Sequence, residues 1–161
     1  MVTHAKQVGA EQPLCELSIH LPATPTPFGP YLPGAETGNL WSLSGMLPTE
    51  GHAPKVVGRL GNELDLEAER DAAYVPTLNA IAVVKQQLGS LDRVSRVVRL
   101  GVSLATSNEF SEHIRIADAA SELLGDIFGA EGILSRMIFG VSSLPLRVPV
   151  ELELITTEER Q

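Results

Sequence analysis

The sequence predicts an α+β domain in which two helices pack on one face of a mixed sheet. Three observations carry this. Apolar residues recur at helical spacing over residues 66–88 and again over 109–128. They alternate with a period of two around Val98–Leu104 and Val150–Leu154, as in strands with one buried face. Finally, 161 residues with 43% hydrophobic and 20% charged content suit one soluble globular domain. Aromatics are scarce, so the core must come from Val, Leu, Ile and Ala.

In chain order, residues 1–12 are polar and expected to form a flexible N-terminal segment, followed by a single domain over 13–161. A first strand is expected near Leu14–Leu21, with Cys15 as a small buried hydrophobe on it. Pro22 to Gly38 holds five prolines and three glycines, which predicts an ordered loop. A second strand is expected at Leu40–Leu47, a turn at Thr49–Pro54 and a short third strand at Val56–Leu60. The first helix is placed at Leu66–Leu88, with Asp65 as N-cap, Gly89 as stop, and Tyr74, Leu78, Ile81 and Leu88 on its apolar face. Pro76 should kink or divide it. The alternation of Val98, Leu100, Val102 and Leu104 marks the next strand. A second helix is expected at Glu109–Phe128, with Phe110, Ile114, Ala117, Ser121, Leu124 and Phe128 inward and Gly129 ending it. Strands at Ser135–Leu144 and Val150–Ile155 close the chain, linked by a proline-flanked, hairpin-like reversal. Two helices can cover only one sheet face. The other still carries apolar positions, which points to a closed homo-oligomer.

Charge and composition exclude several classes. The net charge is −8 and no basic run exists, which argues against nucleic-acid binding. A lone cysteine rules out an internal disulfide and a cysteine-based zinc site. His4, His20, His52 and His113 lack metal-ligand spacing, so no metal is expected. No stretch approaches the roughly 20 apolar residues of a membrane span. Met1 to Ala10 has no apolar core of the signal-peptide kind, so a cytoplasmic location is expected.

Several stretches resemble one family. Pro25-Thr26-Pro27-Phe28-Gly29-Pro30-Tyr31 is similar to a proline-rich lead into Gly-Pro-Tyr. Ser44-Gly45-Met46-Leu47-Pro48 is similar to a Ser-Gly-Gln-hydrophobic-Pro strand end. Asn79-Ala80-Ile81 and Ser90-Leu91-Asp92-Arg93-Val94 resemble a first helix and the entry to the strand after it. The strongest match runs from Arg136 through Gly140 to Leu144-Pro145, then Val150-Glu151-Leu152-Glu153, with fifteen residues from Arg136 to Glu151. Together these resemble the YjgF/RidA (reactive-intermediate deaminase) family, in a longer-chain branch.

That resemblance implies a chorismate-mutase-like fold, a homotrimer with three clefts between subunits, and chemistry without metal or cofactor. In deaminating members of the family an arginine holds the carboxylate of a 2-aminoacrylate-type enamine or its imine, and water releases ammonia to leave a 2-keto acid. Carried onto this chain, Arg136 is the carboxylate ligand, a role its planar fork suits and a lysine does not. Glu151 is the group that activates water. Tyr31, Ser44, Gly45 and Ile138 line the cleft. Met46 stands where Gln is usual, Ile138 where many deaminating members carry Cys, Thr or Ser, and Ser121-Glu122 where Asn-Glu is common. These departures make the cleft more apolar. They leave a non-catalytic, carboxylate-binding trimer as the alternative function. An endoribonuclease or translation inhibitor, a label attached to some relatives, fits the acidic charge less well.

Overall fold

The chain enters the domain through a helix where the sequence predicts a strand. The computed structural model describes residues 9–132 and 134–159, so residues 1–8, His4 among them, lie outside the described residues. Helix α1 (Glu11–Glu16) buries only Leu14, and Cys15 is exposed rather than packed. What holds α1 is polar. The Glu11 carboxylate accepts from Leu91 N at 2.9 Å and from Lys85 Nζ at 2.7 Å, while Glu11 N donates to Asp92 Oδ1 at 2.9 Å. Ala10 is already buried, so residues 10–12 belong to the packed domain.

The proline-rich loop leads into β1 (Gly34–Thr37) and β2 (Leu40–Leu43), an antiparallel pair. The expected strand at 40–47 is broken. Ser42 pairs with Ile155 and Met46 bridges Leu152, so the chain advances four residues here against three on its partner. The extra residue is a local bulge at Ser44–Gly45. The expected turn at 49–54 is a minimal hairpin of β3 (Thr49–Glu50) and β4 (Ala53–Pro54). The expected strand at 56–60 does not form. Only Leu60 touches a strand-like partner, bridging Thr106.

Helix α2 (Leu66–Leu88) has the predicted limits. Asp65 accepts from Ala68 N at 2.8 Å, and Gly89 closes the helix at φ 80°, a left-handed conformation that glycine takes freely. Pro76 does not divide it. The turns on either side are held by complete burial of Ala72, Ala73, Ala80 and Ile81. Those alanines, with Val83 and Val84, carry the packing; Tyr74 and Leu78 are only partly buried. Asn79 ties α2 to the sheet, donating from Nδ2 to the carbonyls of Leu47 and Thr49, both at 3.0 Å.

Strand β5 (Val94–Ala105) buries Leu100, Val102 and Leu104, as the alternation predicts. Val98 departs from it, because a register shift between Val97 and Arg99 makes Val97 the buried residue. Helix α3 (His113–Phe128) starts later than predicted, after a turn in which Phe110 N bonds Ser107 O. Its inner face is Ile116, Ala117, Ala120, Leu123, Leu124, Ile127 and Phe128, so Ile114 points outward at 65% exposure.

Strands β6 (Ser135–Val141) and β7 (Val150–Glu158) follow, but they do not pair with each other. The sheet order is β1-β2-β7-β5-β6. Strand β5 therefore stands between them, parallel to β6 and antiparallel to β7, so the predicted hairpin is a reversal across an intervening strand. Helices α2 and α3 touch each other and cover one face of this sheet, α2 against β7 and α3 against β5 and β6. The other face has no helix over it, and Leu40, Met137 and Phe139 stand exposed there at 41%, 44% and 56%. Among the described residues no helix is long and apolar enough to cross a membrane.

Candidate functional site

The register divides the predicted site residues between the two faces of the sheet. Arg136 pairs with Leu100, and Leu100 with Leu154, two core residues under the helices. Arg136 thus leaves β6 on the helix side, where Nη1 donates to Asp118 Oδ1 at 2.8 Å and to Ser121 Oγ at 2.9 Å, both on α3. Its side chain keeps 23% of its exposure because β6 is an edge strand. Both contacts use one nitrogen, so Nη2 and Nε remain without a partner among the described residues. Ile138, two residues on, faces the same side and packs against the core.

Glu151 lies on the opposite face. It pairs with Ser103, which in turn pairs with Phe139. Its carboxylate rests against the bulge at Gly45, where a Cβ would collide with it. A side chain at this position would displace the carboxylate from where it rests. Gly101 similarly admits the Glu153 side chain, whose Oε1 pairs with Arg99 Nε at 3.3 Å. Together these residues line an open hollow of about 350 Å³. Within it Glu151 is half-buried and makes no hydrogen bond or ion pair to any described residue. Burial alone pushes its pKa above the ordinary carboxylate value.

Gly45 also borders a neighbouring groove, formed where the proline-rich loop lies against the end of β2 and shared by Tyr31, Ser44, Phe28 and Thr49. Ser44 anchors that loop. Its Oγ donates to Leu32 O at 2.6 Å and its N to Pro33 O at 2.9 Å. The Tyr31 hydroxyl accepts from Phe28 N at 3.1 Å, which leaves its own proton free to donate. The Phe28 ring sits 4.9 Å from that of His52. Tyr31, Ser44, Gly45 and Glu151 are thus contiguous, while Arg136 and Ile138 are on the far face of the same chain. Sequence reasoning missed Asp118 as a partner of Arg136, and it missed Ser103 and Phe139 beside Glu151. Only the strand register brings these together. Among the described residues no group of three His, Cys, Asp or Glu is placed to hold a metal ion.

This sheet and its helices have counterparts. Residues 11–156 match the family described as "YjgF/chorismate mutase-like, putative endoribonuclease", and the chain belongs to that family. It is 34% identical over 143 residues to "Protein TCP17" of Trypanosoma cruzi, covering 88% of this chain and 89% of that one. The structure of a "putative endoribonuclease" from Shewanella oneidensis MR-1 superposes with a TM-score of 0.88 at 31% identity, covering 93% of this chain and 99% of that one. The protein Atu1372 from Agrobacterium tumefaciens, described as of unknown function, gives 0.83 at 32% identity over 94% and 92%.

Proposed function

We propose that the protein is a cofactor-free hydrolytic deaminase of small enamines or imines that carry a carboxylate. The observation that carries this is the Glu151 carboxyl: half-buried, unpartnered, raised in pKa, and open to a hollow. A buried polar group without a partner is costly, and such groups mark places where a ligand or water completes the hydrogen bonding.

The reaction follows from these groups. A 2-aminoacrylate-type enamine tautomerises to its imine. Water adds to the imine carbon while the Glu151 carboxylate takes a proton from it. Glu151 returns that proton to nitrogen, which gives a carbinolamine; it then takes the hydroxyl proton and passes it to the amino group as the C–N bond breaks, so that the carbonyl forms and ammonia leaves a 2-keto acid. A base whose pKa is raised toward neutrality is better matched to this transfer than an ordinary surface glutamate. The unpaired nitrogens of Arg136 would hold the substrate carboxylate. Because Arg136 and Glu151 lie on opposite faces of one sheet, the complete cleft requires a second copy. Arg136 on edge strand β6 would face the Glu151 hollow of a neighbour, and a closed trimer would repeat that cleft three times while covering Met137 and Phe139. The setting is the cytoplasm, where such intermediates arise.

One observation favours a second reading. Asp118 already neutralises part of the Arg136 charge, and Met46 and Ile138 are apolar, which suits a trimer that binds a carboxylate metabolite without transforming it. The endoribonuclease reading, suggested by the relatives' names, meets a net charge of −8. A coupled assay on enzymatically generated 2-aminoacrylate separates them. Keto acid formed faster than by spontaneous hydrolysis, from a protein of trimeric mass by light scattering, supports the deaminase. No acceleration leaves the binding reading.

A further inference from the structure

A second concavity, distinct from the Glu151 hollow, is lined by two arginines and a glutamate among small and apolar residues. It lies at the carboxyl ends of the parallel strands β5 and β6, the end of a parallel pair at which ligands of open α/β sheets commonly sit. Arg59, Arg147, Glu63, Ser142, Ser143 and Ala105 line a space of about 120 Å³. Arg59 uses one guanidinium bond, from Nη2 to Ser142 O at 2.9 Å, and its backbone N donates to Glu63 Oε2 at 3.1 Å. The Arg147 guanidinium and the Ser143 hydroxyl have no partner among the described residues. In a chain of net charge −8, with 20 acids against 12 bases, an arginine left unpaired beside another arginine is conspicuous. Two like charges lining one small space disfavour each other; the single carboxylate there, Glu63, offsets only part of that charge, and a bound anion would offset the rest.

The backbone holds this arrangement in place. Leu146 and Arg147 have φ of 56° and 58°, the left-handed region that side-chain-bearing residues adopt only under constraint. The constraint is a set of hydrogen bonds: Gly58 N to Arg147 O at 2.9 Å, Arg147 N to Leu144 O at 3.2 Å and Val148 N to Pro145 O at 3.1 Å. On the other wall, Leu60 N bonds Ala105 O and Ser107 N bonds Leu60 O, both at 2.9 Å, which fixes the segment that carries Arg59. Both arginines therefore project from preorganised loops.

We propose that this hollow binds phosphate, either free or as the terminal group of a small phosphomonoester. Phosphate offers enough oxygens to bridge two guanidinium forks and still accept from Ser143, whereas a single carboxylate cannot satisfy both forks. The site is separate from Arg136, so it does not depend on the deaminase reading. Calorimetric titration of the full-length protein with inorganic phosphate, with glycerol phosphate and with acetate at matched ionic strength tests it. Saturable heats are expected for phosphate; any heat with acetate belongs to the carboxylate site at Arg136 and should persist in Arg147→Asn. Preference for the ester over the free ion identifies a phosphomonoester; equal affinities identify free phosphate. Arg147→Asn removes the charge with a residue that tolerates the left-handed conformation, so the fold is retained while phosphate affinity falls roughly ten- to a hundredfold. Arg136→Lys should leave phosphate binding unchanged. The proposal is overturned if wild type shows no saturable phosphate binding, if acetate binding is lost in Arg147→Asn, if Arg147→Asn binds phosphate like wild type, or if Arg136→Lys abolishes it.

Discussion

The two faces of the sheet obey different rules. Under the helices, Leu100, Val102, Leu104, Val150, Leu152 and Leu154 are buried to within 1% of complete exclusion, in the hydrophobic core. Polar groups interrupt that face in two places: Arg136 at the β6 edge bonds Asp118 and Ser121, and Trp41 Nε1 and Thr156 Oγ1, on paired residues, are buried without a partner among the described residues. On the other face the same strands present Ser103, Glu151, Glu153 and Arg99 among exposed Met137 and Phe139. The centre of the helix face is closed by residues that can only pack, and the charged Arg136 sits at the β6 edge, paired with Asp118. The open face keeps a carboxyl, a hollow and apolar surface that one chain cannot cover. The difference shows where stability and chemistry are separated: adjacent residues of β7 serve one or the other according to parity.

Exchanging neighbours on β7 should expose that division. Glu151→Gln keeps the size of the side chain and removes the base. We expect deaminase turnover to fall by roughly 10²–10⁴ in the coupled assay, with the oligomeric mass and keto-acid binding retained. Full activity in this variant would place the base elsewhere. One residue along, Leu152→Ala should cost about 2–5 kcal/mol in denaturant unfolding, because it empties a filled core position. Phe139→Ala on the open face sharpens the contrast. If a neighbouring copy covers it, its loss of stability depends on protein concentration; a loss independent of concentration would mean the face is free.

Arg136→Lys is expected to weaken pyruvate binding roughly ten- to a hundredfold by calorimetry, since a point charge cannot replace two parallel hydrogen bonds. Equal affinities would show that the fork does not matter. The smallest effect is the pH dependence of stability. Burial raises the folded pKa of Glu151, so its contribution is fully favourable below the ordinary glutamate pKa and is lost as pH rises through the raised value. Glu151→Gln removes that loss. The variant should match or exceed wild-type stability at neutral pH, and its advantage should vanish under acid conditions. An advantage that grows as pH falls would contradict the assigned direction.

Much of this was legible in the chain. Asp65 and Gly89 define α2 by local chemistry, a side-chain acceptor at one end and a free left-handed φ at the other, and neither depends on distant residues. The parity of Val150, Leu152 and Leu154 gave the buried face of β7 for the same reason. The errors arose where neighbours outweighed pattern. Leu14-Cys15-Glu16-Leu17 reads as a strand, yet it becomes a helix because Glu11 finds Lys85 and Leu91 across the fold. Val98 lost its place in the alternation to a bulge, and Ile114 lost its place to the packing angle of α3.

The candidate site divides in the same way. The residue types were readable from sequence: an arginine with a bidentate fork, a glutamate fifteen residues later, a glycine and a tyrosine in a proline-rich setting. Their arrangement was not. Whether Arg136 and Glu151 share a face depends on how β5 stands between β6 and β7, a long-range pairing that no local spacing encodes. The sequence by itself determined the family, the helices, the core-facing parity and the chemical identity of the candidate groups, because each of these rests on residues close together in the chain. Only the tertiary structure decided that Arg136 meets Asp118 and Ser121, that Glu151 is desolvated against Gly45, and that Arg59 and Arg147 line one hollow, because burial and charge proximity are properties of packing between segments far apart in sequence.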